Sequence, residues 1–230
     1  STDTSDNILS NDSAGVNSNP GGFQSLKSYK FTFQFVDNSP TRWVRITTAD
    51  TFDKPNPIID VRKRLRFRIL LENSSVYLTL GIRKLAITDA TVGDDGGTAG
   101  PIEWVGAKSL VKSDDGYTAP LGKLIEAQTG IWQEVDIDIP HEAAISFQGG
   151  DGIITGNYGV LEHLAITINP DDPHATEPID LYIDKIEQVV DILVAGTSQG
   201  VQYSKDFGGS WELSRYTQTP IHKFYKAQNN

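Results

Sequence analysis

The 230-residue chain has no cysteine, no methionine and only four histidines. Without cysteine there is no disulfide framework, no thiolate metal site and no cysteine nucleophile. The histidines, His141, His163, His174 and His222, are scattered and show no His-x-x-x-His spacing, so the common helical zinc signature is missing. The absence of methionine, even at position 1, points to a processed start or a piece of a longer protein. No apolar run reaches the length of a membrane-spanning helix, and no signal peptide is visible. Positive charge is scarce: 20 Lys and Arg against 30 Asp and Glu leave a net charge of −10, which disfavours non-specific binding to nucleic acid or anionic membrane. The glycine pairs lack the strand-and-helix contexts of nucleophile elbows and dinucleotide fingerprints. Thirty acidic residues single out no carboxylate pair for glycoside hydrolysis. The expectation is a non-catalytic chain, with the activity of any longer parent protein left open.

Alternation with period two dominates what is present. Tyr29, Phe31, Phe33 and Phe35 fall on one face and Lys30, Thr32 and Gln34 on the other, the pattern of a half-buried strand. Similar runs recur at 42–47, 64–72, 76–88, 101–105, 121–127, 132–139, 143–147, 161–168 and 180–187. Turn clusters such as Asp53-Lys54-Pro55-Asn56-Pro57 and Gly93-Asp94-Asp95-Gly96-Gly97 separate them. Helical periodicity is nowhere sustained, which predicts an all-β antiparallel sandwich. Arg64, Arg66 and Arg68 share one side of a strand, expected to be a solvated face paired with acids on a neighbour. Residues 1–24 are so rich in Ser, Asp, Asn, Thr and Gly that they read as a linker or disordered arm.

Near the C-terminus, Ser204, Asp206, Gly208, Ser210 and Trp211 fill every defining position of a pattern that resembles the Asp-box of sialidase-like and sortilin-like β-propellers. The pattern suits a tight turn between antiparallel strands, with Asp206 accepting backbone hydrogen bonds and Trp211 packing under the hairpin. A propeller needs several blades. Residues 191–230 are therefore expected to be a single hairpin of propeller type, and residues 25–190 the main domain. That domain resembles the jelly-roll, galactose-binding-like fold of bacterial carbohydrate-binding modules. The likeness rests on Trp43 to Thr48, on Asn56-Pro57-Ile58-Ile59-Asp60 leading into Leu65-Arg66-Phe67, and on the closing runs Gly159 to Ala165 and Leu181 to Ile186.

The resemblance implies an extracellular module that binds a polysaccharide or cell-surface glycan. Sugar recognition needs flat apolar faces and planar polar side chains. Trp104, Tyr117 and Tyr158 adjoin Gly-rich segments and are the candidate platforms, with Asn157 and Arg83 among the candidate hydroxyl partners. Trp43 and Trp132 lie in or beside strands and read as packing residues. In the family, a structural calcium often bridges the first and last strands, and the matching acid here is Asp184. Its alternation with Tyr182 and Ile186 puts it on an apolar side, where a carboxylate needs a cation or hydrogen-bond donors. Two other readings fit the same residues. One is a structural or adhesion component of a virion tail or cell surface that contacts other subunits. The other is an accessory domain of a sialidase-like hydrolase.

Overall fold

The computed structural model describes residues 7–9, 12–47, 56–84, 101–113, 118–147, 149–189, 193–198, 200–204 and 210–213. Among these, all regular structure is β. The chain divides into two compact units, residues 1–188 and 189–230.

The first unit is an antiparallel β-sandwich. One sheet runs in the order β1 (Ser13–Asn17), β2 (Ser28–Phe33), β14 (Ile179–Val189), β5 (Arg64–Leu71), β11 (Gln133–Asp138). The other runs β12 (Ala144–Phe147), β7 (Ile102–Val105), β6 (Val76–Lys84), β13 (Tyr158–Ile168), β3 (Trp43–Ile46). In addition, β4 (Ile58–Asp60) pairs with β13 and β10 (Lys123–Ile125) with β6. A hairpin of β8 (Ser109–Lys112) and β9 (Thr118–Leu121) completes the unit.

Period two builds the core. Phe31, Phe33, Leu65, Phe67, Ile69, Leu181 and Ile183 of one sheet join Val44, Ile46, Leu78, Leu80, Ile82, Leu164 and Ile166 of the other in one buried cluster. Removing this much apolar surface from water is what holds a chain without disulfides together. The outer face of the first sheet is a charge ladder. Arg64, Arg66 and Arg68 lie opposite Asp138, Asp136 and Glu134 in register. Asp136 takes Arg64 at 2.9 Å and Arg66 at 3.0 Å, and Arg68 meets Glu134. The arginine side is thus spent within the sheet.

Residues 13–17 differ from the linker expected over 1–24. They form β1 and pair along β2 from Ser13 opposite Thr32 to Asn17 opposite Ser28. Ile8 is buried and bridges to Phe35. Backbone pairing needs no apolar side chain, so a polar edge strand leaves no hydrophobic period to read. Strands β4, β8 and β9 are likewise absent from the expected runs.

The outer face of the second sheet is also covered. Thr167 Oγ1 donates to the Pro120 carbonyl of β9 at 2.9 Å, and Thr79 and Ala119 are fully buried. A β-bulge falls between Leu161 and His163 of β13. The extra residue, Glu162, breaks the alternation, so both Glu162 and His163 turn away from the core side that Leu161 and Leu164 occupy.

In the second unit, β15 (Leu193–Thr197), β16 (Gly200–Ser204) and β17 (Glu212–Leu213) form an antiparallel sheet. Residues 196–200 read Gly-Thr-Ser-Gln-Gly, the spacing of a nucleophile elbow. They connect two antiparallel strands rather than a strand and a helix, so that context is not met. Of the Asp-box residues, Ser204 ends β16 and is buried, while Ser210 and the half-exposed Trp211 precede β17; Asp206 and Gly208 lie outside the described residues.

Candidate binding surfaces

Of the aromatic side chains expected to meet a sugar, Trp104 is placed differently. It sits inside β7 with 2% of its surface exposed. Its indole stacks on Phe147 at 4.2 Å with the rings 10° apart, and meets Trp43 edge-on at 5.6 Å. A Gly-rich neighbourhood suggested a loop, but pairing with β6 on one side and β12 on the other makes Trp104 part of an aromatic layer on the sheet. The same layer takes in His163, whose Nε2 accepts the Trp104 indole N–H at 3.3 Å. His163 crosses over Gly81, where a Cβ would strike the imidazole, so only glycine fits at that point of β6. An indole only donates, so the neutral histidine carries its proton on Nδ1. Burial, reinforced by the positive charge of Arg45, pushes the pKa of His163 down to about 3.

Arg83 is likewise not a surface partner for hydroxyls. Its side chain is wholly buried and its Nε lies 2.5 Å from Glu162 Oε1. Glu162 Oε2 accepts Asn56 Nδ2–H at 2.9 Å, and Asn56 Oδ1 accepts the Thr47 hydroxyl at 3.0 Å. Each polar group in this chain of contacts has a partner, the condition for burying charge at all. Strand periodicity alone did not distinguish Arg83 from an outward-facing arginine; the buried carboxylate that receives it is supplied by a bulge 79 residues away.

Tyr158 and Asn157 keep the expected exposure. Tyr158 opens β13 with 52% of its surface exposed, and Asn157 beside it is exposed. The Arg62 guanidinium lies 5.8 Å from the Tyr158 ring centroid and is bound to Asp60 at 2.8 Å. That contact holds the Asp60 carboxyl down at about 2. Tyr117 lies outside the described residues.

Asp184 is half-exposed rather than on an apolar side. Lys185 has a φ of 52°, a left-handed backbone that interrupts the alternation of β14 there. Asp184 Oδ2 accepts the Ser25 hydroxyl at 2.8 Å and Oδ1 accepts the Lys185 N–H at 2.8 Å. Ser25 Oγ is also 2.8 Å from the Lys27 carbonyl, so one hydroxyl proton faces two acceptors. Three oxygens converge there, whereas calcium takes about six to eight. Among the described residues no three acidic or histidine side chains are grouped so that they could hold a metal ion.

Asp184 also borders a feature that the sequence did not announce. A cleft of about 550 Å³ opens between the two sheets at one end of the sandwich. The first sheet contributes Val16, Tyr29, Phe31, Ile183 and Ile186, and the second Ile46, Leu161 and Leu164; Lys27, Asp184, Lys185, Glu162, His163 and Thr47 supply its polar parts. The period-two row starting at Tyr29 was the available signal, since it marks an apolar row that continues to the end of the strand. Tyr29 is 44% exposed there, whereas Phe33 is fully buried.

No known protein family matches the chain, and neither does any curated protein.

Proposed function

We propose that this chain is a non-catalytic, extracellular β-sandwich module of a larger protein, and that it binds carbohydrate on the surface around Tyr158. The observation that carries this reading is the exposure of Tyr158 beside Asn157 and Arg62. An open ring face suits the C–H side of a pyranose, and a planar amide and a guanidinium suit its hydroxyls. The jelly-roll resemblance points the same way. A glycan array followed by calorimetry on the strongest hit tests it. Tyr158→Ala should weaken binding about fivefold to tenfold, the loss of about 1 kcal/mol of stacking. An array without a hit, or unchanged affinity in that variant, removes the reading.

A structural calcium at Asp184 belongs to the same proposal: the carboxylate, the Ser25 hydroxyl and the Lys27 carbonyl would supply three oxygens and water the others of its about six to eight. A second reading, assembly with other subunits of a cell-surface or virion structure, draws on β1. This polar edge strand carries Val16 at 68% exposure and is followed by Leu26 at 86%. An edge strand offers unpaired backbone groups to another chain.

A further inference from the structure

The cleft between the sheets is separate from the Tyr158 surface in its chemistry. Its walls are mainly apolar, with the aliphatic Val16, Ile46, Leu161, Leu164, Ile183 and Ile186 standing beside aromatic rings. A saccharide presents hydroxyls on most sides, and mainly apolar walls would leave many of them without partners. An alkyl chain asks for nothing but apolar contact. The mouth is apolar as well, since Val16, Tyr29 and Ile186 keep 68%, 44% and 52% of their surface exposed. Exposed apolar side chains grouped around an opening mark a place where something binds. A volume of about 550 Å³ lies within the ordinary range of small-molecule sites.

Charge selects the kind of chain. Lys27 lines the cleft, is exposed, and has no carboxylate partner among the described residues. Lys185, also in the lining, has its ammonium 5.8 Å from the Phe23 ring centroid and again no carboxylate. Many other cations of this acidic protein are engaged: Lys30, Arg42, Arg64, Arg66, Arg83 and Lys84 all sit on carboxylates. The two acids in the cleft are already engaged. Glu162 is held by Arg83 and Asn56, and Asp184 by Ser25 and the Lys185 N–H.

We propose that the cleft binds an amphipathic anion, a long-chain carboxylate whose alkyl tail lies between the two sheets and whose head group meets Lys27, with Lys185 within its field. The proposal is independent of carbohydrate binding. The tail is placed by Val16, Leu161, Leu164 and Ile183, and the head by the two lysines of the lining.

Calorimetry on the whole chain with dodecanoate tests this, with dodecyltrimethylammonium as a partner of equal tail and opposite charge and butyrate as a head without a tail. Dodecanoate should bind saturably below its micellar concentration, more weakly at high salt, and the other two should bind at least tenfold more weakly. Val16→Trp, which fills the mouth from an exposed strand position, should abolish binding. Lys27→Glu should weaken dodecanoate about tenfold and improve the cationic probe. Both variants should melt with the wild type, because both positions are exposed. Equal binding of the two long-chain probes, wild-type affinity in both variants, or no saturable binding of dodecanoate overturns the proposal. Since Tyr158 is unchanged throughout, glycan binding in the same variants reports on the other surface separately.

Discussion

Arg83 and Glu162 form an ion pair from which water is excluded, with 0% and 1% of their side chains exposed. The pair joins β6 to the bulge of β13, and through Asn56 and Thr47 it extends to the end of β3. Removing one partner leaves the other charge buried and alone. Arg83→Ala or Glu162→Ala should therefore destabilise the sandwich by about 3–5 kcal/mol. The double variant Arg83→Leu/Glu162→Leu should be less damaged than either, because no charge is stranded. Denaturant unfolding of the three variants decides it, and additive losses in the double variant would show that the two residues act separately.

Trp104 and Tyr158 should separate stability from binding. Trp104→Ala removes a stacked, buried indole and should cost about 3–5 kcal/mol. Tyr158→Ala, at an exposed position, should stay within about 0.5 kcal/mol of wild type while lowering glycan affinity. A stable Trp104→Ala protein that has lost glycan binding would reverse the two assignments.

His163 predicts a dependence on pH. Its pKa is near 3 in the folded chain, against an ordinary value of 6.5 that the unfolded chain recovers. Between those values the unfolded chain takes up a proton that the native state refuses. Stability should therefore fall as pH drops from about 6.5, by up to about 1.4 kcal/mol per pH unit. Asp37 and Asp60, held at about 2 mainly by hydrogen bonds from Arg42 and Arg62, lose their contribution only as pH falls below the ordinary carboxylate value of 3.8. His174, raised by Glu177, is exposed and acts in the opposite sense, its contribution being lost as pH rises. The stability of wild type minus that of His163→Phe isolates the buried ring, and this signed difference should fall steadily as pH drops from 6.5 to about 4.5. Parallel unfolding curves at every pH would exclude this role.

Calcium at Asp184 predicts a stabilisation by mass action. Adding calcium to metal-free protein should raise the melting temperature, and Asp184→Ala should be less stable and indifferent to the metal. If calcium-loaded and metal-free protein, verified by elemental analysis, melt together, then the Ser25 hydroxyl and the Lys185 N–H account for the carboxylate by themselves.

The arginines of β5 show how far the strand pattern alone could be read. Arg64, Arg66 and Arg68 fall on one face by simple alternation, and their acidic partners on a neighbouring strand were expected from the need to neutralise them. Trp104 and Arg83 show where reading stopped. Both are in strands, but the bulge at Glu162 supplies a buried carboxylate to Arg83, and Phe147 and Trp43 pack against Trp104, which buries what alternation would leave exposed. Such effects depend on segments far apart in sequence, and neither leaves a local signal.

Composition and period two, on their own, determined that this chain is a β protein with a core of alternating aliphatic and aromatic residues, because alternation is a property of each strand taken alone. Which strands pair, which outer face is covered and where the sheets part to leave the cleft were decided only by tertiary packing. There the free energy of burying a side chain depends on the neighbours that long-range pairing brings to it. The polar edge strand β1 belongs to that second class: its place in the sheet is held by backbone hydrogen bonds to β2, which any sequence without proline can make.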